Sequence, residues 1–542
     1  MTTLTVNTSF DFSNALLSNI TLLDFTNPAV TIVPATATFS SSQFQTGQLA
    51  AALAVDGSSG INAIAVKGGA VDASLWSFTN WAARDRITLT GSAGADGIIG
   101  SVRSDTINGG GGSDSLEGGG GSNRLNGGQG DDHIVSSATA GADIINGGDG
   151  SDFAFIDRTQ SAVSLAIDLG FGGINIGDGT KLTSIERLKF LGGSGNDSVT
   201  GGGLDDVLNG QDGDDFLKGA GGNDRIFTDA GVDTLNGDGG DDELGIFSQA
   251  GHSVIDGGTG SDKLYVVREN AAIALSVDIG DGGGGRDIGD GTTITNVESV
   301  DFRGGSGNDT ARGGALNDIF TGNLGNDTLF GRGGADKFIL GSADSADAID
   351  GGGGIDTALL LYDFNSANAH ILSISDGGGG RNIGDGTTLI RIEALFFQGG
   401  VAADKVTGGA QSDALRGGGG NDVLKGGGGD DAITGGAGRD TLAGNAGADT
   451  FVFKILAESA PGAQRDKIID FVSGTDHIDL NSIGLPIDFI GTAGFGGNAG
   501  ELRFATTATQ TIVSWDTDGN GTADFQIALN GVLSLTAADF GL

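Results

Sequence analysis

The chain contains no cysteine, which excludes disulfides, thiol catalysis and cysteine-ligated metals. Proline occurs only at Pro28, Pro34, Pro461 and Pro486, so residues 35–460 are free of the one residue that cannot donate to a sheet ladder. Cations are scarce. Lys and Arg total 28 against 70 acidic residues, a formal net charge of −42. A phosphate backbone is repelled by such a chain, so nucleic acid is not an expected partner, and anionic membrane surfaces are disfavoured for the same reason. No run of about 18 apolar residues is present, so no membrane span is expected. The four histidines, His133, His252, His370 and His477, stand apart, so the H-E-x-x-H zinc site of a metalloprotease is missing. No G-x-S-x-G elbow supports an α/β-hydrolase. The stretch MTTLTVNTSFDFSNALLSNITLLDF lacks a basic region followed by an apolar core, and reads as no ordinary signal peptide. With aromatics at 6% and 106 glycines, composition alone describes a disordered chain.

What is present overrides composition. In GGGGNDVLKGGGGDDAITGGAGRD, residues 417–440, Asp422, Asp431 and Asp440 recur every nine residues, and Leu424, Ile433 and Leu442 each follow two positions later. Four blocks keep this period. The first holds Asp96, Asp105, Asp114, Asn123 and Asp132, slips by two residues, and continues with Asp143 and Asp152. The second holds Asp197, Asp206, Asp215, Asp224, Asp233 and Asp242, slips in the same way to Ser253, and ends at Asp262. The third runs through Asp309, Asp318, Asp327 and Asp336, slips to Asp347 and ends at Asp356. The fourth keeps Asp404, Asp413, Asp422, Asp431, Asp440 and Asp449 without a slip. The second unit of every block carries a non-glycine residue at its fourth position (Arg103, Leu204, Leu316, Gln411), which suggests that a module larger than the nonapeptide was duplicated. A fixed short period of this kind signals a solenoid.

Three similar spacers separate the blocks, each reading as a strand, an IGDGT turn and a second strand. They are expected to be wider coils of the same solenoid. Asp178, Asp290 and Asp385 of the GDGT loops read most simply as turn residues, with a ligand role as the alternative. The expected organisation is an N-terminal β-coil cap over 1–90, repeat blocks over 91–155, 192–265, 304–359 and 399–452, spacers over 156–191, 266–303 and 360–398, and a β-rich C-terminal cap over 453–542. Trp76, Phe78 and Trp81 at the end of the first segment are expected in a core or cap rather than on a carbohydrate platform.

The repeat unit has the chemistry of a calcium loop. Glycines permit positive φ and let carbonyls turn toward a common centre, and the aspartate adds a charged oxygen. A cage of carbonyl and carboxylate oxygens suits calcium. If a coil takes eighteen residues, Asp404, Asp422 and Asp440 form one row and Asp413, Asp431 and Asp449 another. All the block aspartates are therefore candidate calcium ligands, with Asn123, Ser253 and the Asp233 unit (TDAGVD, without its glycine pair) as degenerate sites. Units such as GGSGNDSVT, GGGGNDVLK and GGAGRDTLA resemble the G-G-x-G-x-D-x-U-x repeat of the RTX proteins. That resemblance implies an all-β parallel β-roll, two nonapeptides per coil, with calcium between consecutive loops.

After Asp449 the period breaks. Asp466, Ile468, Asp470, Phe471, Asp476, Ile478, Asp479 and Leu480 resemble the C-terminal portion of serralysin-type RTX proteins, which implies a β-rich cap with an uncleaved signal for type I export. Within it, Asp516, Asp518, Asn520 and Gly521 begin like a helix–loop–helix calcium loop, but Ile527 stands where the bidentate Glu belongs; Asp524 is one substitute, and a metal-free acidic hairpin is the alternative. The expected protein is secreted from a Gram-negative cell, partnered by calcium and type I export machinery, with a structural or adhesive role toward polysaccharide, matrix or cell surface. A β-solenoid lyase or epimerase acting on polysaccharide, and a binding factor for host or neighbouring cells, are the alternatives. Tyr265 and Tyr362, the only tyrosines, follow nonapeptide aspartates and are expected in buried strands.

Overall fold

The computed structural model describes residues 3–6, 10–11, 20–25, 35–45, 49–57, 62–137, 141–170, 174–247, 252–280, 286–341, 346–362, 368–374, 381–382 and 386–542. Pro28, Pro34 and Asp385 lie outside them. The chain forms two compact units, Met1–Tyr265 with Gly291–Asn296, and Val266–Asp290 with Val297–Leu542. Each is a parallel β-solenoid. Among the described residues the one α-helix is the five-residue Ser41–Gln45, and no helix is long and apolar enough to cross a membrane.

The nonapeptide explains the coil. Each unit supplies a short strand with one apolar residue pointing inward, then a glycine turn that delivers the chain to the opposite ladder. In the first unit Asp105–Gly111, Arg124–Gln129 and Ile144–Asp149 pair in parallel on one side, and Ser115–Glu117, His133–Ser136 and Phe153–Asp157 on the other. Partners are eighteen residues apart, or twenty across the slip: Ile107 faces Leu125, and Leu125 faces Ile145. The two-residue slip thus enlarges one turn without disturbing the register of the inward column. In the second unit Val406, Leu424, Leu442 and Ile468 form one such column and Leu415, Ile433, Phe451 and Ile478 the other, all fully buried. Burying each such side chain contributes about 1.5–3 kcal/mol. Phe320 stacks on Phe338 at 5.1 Å in the same manner.

The turns admit little but glycine. Gly427 sits at φ 124°, and a Cβ there would strike the carbonyl of Gly409 in the preceding coil. Spacers are wider coils. Phe153 pairs with Arg187, thirty-four residues on. Within that span Lys181–Thr183 ends one ladder, while Ala166–Asp168 pairs forward with Ser198–Thr200 and opens the next.

At its end the second unit changes character. Phe525–Asn530 joins Asp466–Ile468 in parallel, and Gln510–Asp516 and Glu501–Thr506 then add as an antiparallel meander. This covers the edge that the last coil would expose. Trp76 and Trp81 are buried, and Trp76 stacks on Phe44 at 5.4 Å, so they serve the core as expected. Tyr362 is buried as well and Tyr265 half-buried.

Candidate metal centre

The eighteen-residue coil brings the aspartates into rows. Beyond the first member of each row, the side chain accepts the backbone N–H of its counterpart in the preceding coil. Asp404 donates to Asp422 Oδ1, Asp422 to Asp440 and Asp440 to Asp466, each at 2.7 Å. On the opposite side Asp413 donates to Asp431, Asp431 to Asp449 and Asp449 to Asp476. The other blocks repeat the pattern. Asp96, Asp114, Asp132 and Asp152 form one row of the first block, and Asp105, Asn123 and Asp143 the other. The second block holds Asp197, Asp215, Asp233 and Ser253 in one row, and Asp206, Asp224, Asp242 and Asp262 in the other. In the third, Asp309, Asp327 and Asp347 face Asp318, Asp336 and Asp356. Every one of these aspartates except the half-buried Asp96 is at most 6% exposed.

One oxygen of each carboxylate is thus used by the fold. In Asp105, Asp206, Asp309, Asp318, Asp413 and Asp476 the other accepts a backbone N–H, and in Asp143 the Ser136 hydroxyl; in many of the rest it is left over. Oδ2 of Asp422, Asp431, Asp440 and Asp449 is buried without a hydrogen-bond partner, as it is in Asp114, Asp132, Asp224 and Asp336. A buried carboxylate oxygen with nothing to accept is costly. It also has company: a Cβ placed on Gly417 would meet both Asp422 Oδ2 and, 2.6 Å away, the carbonyl oxygen of Gly435 in the next coil. Carboxylate and carbonyl oxygens of successive coils therefore converge on space that only glycine leaves open. That donor set, all oxygen with repeated negative charge, fits calcium.

The electrostatics agree. Burial, with the flanking charges of Asp440 and Asp404, pushes the Asp422 carboxyl up to about 8 against the lowering effect of the Asp404 N–H. Asp431 reaches about 8 through burial and the charges of Asp413 and Asp449, and burial likewise lifts Asp318 to about 8. A dication at the row would favour the ionised carboxylates and so oppose both burial and like charge.

Asn123 departs from the pattern in an instructive way. Its Oδ1 accepts the Asp105 N–H at 2.9 Å, which turns the buried, unpartnered Nδ2 to where its neighbours place a carboxylate oxygen. An amide NH₂ donates and cannot ligate a cation. Ser253 offers its hydroxyl to the Asp233 N–H at 3.0 Å.

The sequence reading did not include the row ends. Asp143 donates to Thr180 Oγ1 and Asp347 to Thr387 Oγ1, both at 3.1 Å, while Asp152 donates to Glu186 and Asp356 to Glu393. The signal was present: in each spacer the Thr of GDGT precedes a Glu by six residues. Asp466 and Asp476 extend the last two rows from outside the repeat. Burial, then Asp440 and Glu458, lifts Asp466 to about 8, and its Oδ2 is unpartnered.

The Asp516 loop is not flanked by helices. It links the antiparallel strands Gln510–Asp516 and Phe525–Asn530. Asp516 receives the N–H groups of Gly519 and Gly521 at 2.8 Å, and Asp524 Oδ2 the backbone N–H and the hydroxyl of Thr517. Asp516, Asp518 and Asp524 come within 4.8 Å of one another, but their described bonds brace a hairpin. Asp178 and Asp290 hold buried arginines, Arg158 at 2.7 Å and Arg268 at 3.2 Å.

Comparison with known proteins fits this geometry. A family model of the RTX calcium-binding nonapeptide repeat (four copies) matches residues 99–134, 136–155, 191–226, 209–244 and 303–338. A model of the peptidase M10 serralysin C-terminal region matches 401–542. Metallopeptidase AprA of Pseudomonas marginalis is 40% identical over 85 residues, 15% of this chain and 17% of that protein. Metalloprotease AprA of Pseudomonas entomophila (strain L48) is 36% identical over 94 residues, 16% of this chain and 19% of that one. The chain spans less than a fifth of either relative's length. Among solved structures, the AlgE6R3 subunit of the Azotobacter vinelandii mannuronan C5-epimerase is 33% identical, over 26% of this chain and 80% of that one, with a TM-score of 0.22. The AlgE6R2 subunit is 32% identical, over 26% and 91%, with a TM-score of 0.20.

Proposed function

Because this chain is an RTX calcium-binding repeat protein with a serralysin-type C-terminal portion, we propose that it is a secreted protein that folds on calcium outside the cell and serves as a structural or adhesive element at the cell surface or in the matrix. The observation that carries this reading is the rows of buried carboxylates with one oxygen unpartnered. The block aspartates, extended by Asp466 and Asp476, would hold the calcium ions together with glycine carbonyls of adjacent coils. When bound, calcium supplies the positive charge that the rows lack. The chain's own residues do the rest: inward apolar columns set the coil spacing, and main-chain N–H groups hold one oxygen of carboxylates such as Asp422, Asp431 and Asp440 while the other stays unpartnered for the ion.

An adhesive role is tested by immobilising the calcium-loaded protein and screening neutral and anionic polysaccharides and whole producing cells, with chelator as the control. Calcium-dependent retention of a polysaccharide or of cells supports the reading. Cleavage or epimerisation of a polysaccharide in the same assay would replace it with an enzymatic one.

Export is tested separately. Removing 480–542 takes away the antiparallel meander and Phe525–Asn530, the strand that covers the Asp466–Ile468 edge. The truncated chain is expected to keep calcium-binding blocks but to accumulate inside the producing cell. Its normal appearance in the medium would refute a C-terminal export signal.

A further inference from the structure

The slip in the first block is served by a cation the chain carries itself. Arg158 is 5% exposed in a protein with two and a half acidic residues for each basic one. Its guanidinium reaches six oxygens: Asp178 Oδ2 at 2.7 Å, the carbonyls of Ser136, Ser137 and Asp157 at 3.1, 3.2 and 2.7 Å, and the hydroxyls of Ser136 and Thr180 at 3.0 and 3.2 Å. Thr180 is the hydroxyl that ends the Asp105–Asn123–Asp143 row, and Ser136 also donates to Asp143 Oδ2. A set of carbonyls, hydroxyls and one carboxylate is what calcium takes elsewhere.

A second buried arginine follows the second block. Arg268 is 3% exposed and meets Asp290 at 3.2 Å and the Val267 carbonyl at 3.2 Å. Both arginines occupy the same place in the coil: the Arg158 N–H bonds the Leu191 carbonyl, and the Arg268 N–H bonds that of Arg303. In the third block Tyr362 holds that place, bonding Gln398 and stacking on His370 at 3.6 Å.

We propose that Arg158 and Arg268 are built-in cations that stand where calcium would otherwise close the coil, so that these two corners form without metal. The proposal rests on the calcium reading of the rows. It predicts that removing the guanidinium converts a metal-free corner into a metal-requiring one.

The test is a calcium titration of the full chain, wild type against Arg158→Ala, Arg158→Lys and Arg268→Ala, counting bound calcium by equilibrium dialysis and following the fold by circular dichroism. Each alanine variant is expected to bind one more calcium ion than the wild type and to fold at a higher calcium concentration, while Arg158→Lys keeps the wild-type count. A folded Arg158→Ala chain with an unchanged count overturns the proposal. So does a chain that stays unfolded in saturating calcium, because a position that calcium cannot enter is no calcium position. Failure of the wild type itself to bind calcium would instead sink the reading of the rows.

Discussion

In excess chelator at neutral pH the full chain is expected to give the circular dichroism spectrum of a largely disordered polypeptide, and calcium to convert it cooperatively to a strand-rich one at about 10⁻⁴–10⁻³ M. The reason lies in the geometry of the rows. Each nonapeptide buries one inward side chain, a gain of about 1.5–3 kcal/mol, against the ordering of nine backbones at about 1–2 kcal/mol each. Hydrogen bonding narrows that gap without reversing the electrostatics. Carboxylates one strand spacing apart repel by about 1 kcal/mol in water and by about 3–4 kcal/mol at the effective dielectric of a protein surface. Rows such as Asp404, Asp422, Asp440 and Asp466 repeat that repulsion at every step. Calcium reverses its sign. Because successive sites share glycine and aspartate loops, filling one orders part of the next, which makes the transition cooperative. A full β spectrum in chelator, unaltered by calcium, would rule out the switch.

Protons are expected to replace calcium in part. In the metal-free fold burial and like charge raise Asp422, Asp431, Asp318 and Asp466 to about 8, while a disordered aspartate titrates near 3.9. Between these values the folded chain binds more protons than the unfolded one. The stability supplied by protonation is therefore complete below about pH 4 and is lost as pH rises through about 8. Near the isoelectric point of about 4.1 the self-repulsion of the −42 chain also vanishes. In chelator, strand content is expected to rise as pH falls from 8 to 4. In calcium the sign inverts, because protons compete for the same oxygens, so the calcium midpoint is expected to move to higher concentration as pH falls. Circular dichroism against pH at low protein concentration, with and without chelator, checks both. Strand content in chelator that grows with pH, or a calcium midpoint indifferent to pH, would contradict the assignment.

Much of the site was legible because a solenoid makes distant contacts periodic. Asp404 meets Asp422 for the same reason that Asp422 meets Asp440, so one spacing predicts every row. The ends of the rows were harder. Thr180, Glu186, Thr387 and Glu393 lie in spacers where the coil takes thirty-four residues or more, and no fixed period leads from Asp143 to Thr180. Asp466 and Asp476 were seen as part of a C-terminal likeness, and their place in the rows depends on the last coils continuing past the repeat. For the Asp516 loop, ligand spacing left a calcium loop and an acidic hairpin both open, and the antiparallel pairing of Gln510–Asp516 with Phe525–Asn530 makes it a hairpin.

By itself the sequence determined the nine-residue unit, the inward apolar position, the aspartate rows and hence the need for an oxygen-seeking cation. These follow from local periodicity, since stacking identical units leaves one register that buries the apolar residue two positions after each row aspartate. Only the tertiary structure decided which oxygen of each carboxylate is spent on the neighbouring N–H, and that the second oxygen of residues such as Asp422 and Asp431 is buried without a partner. It alone placed Arg158 at the first slip, paired Arg268 with Asp290 and closed rows with Thr and Glu. Those choices depend on which backbone groups a wider coil brings near, and a residue's spacing along the chain carries no record of what faces it across a turn of variable length.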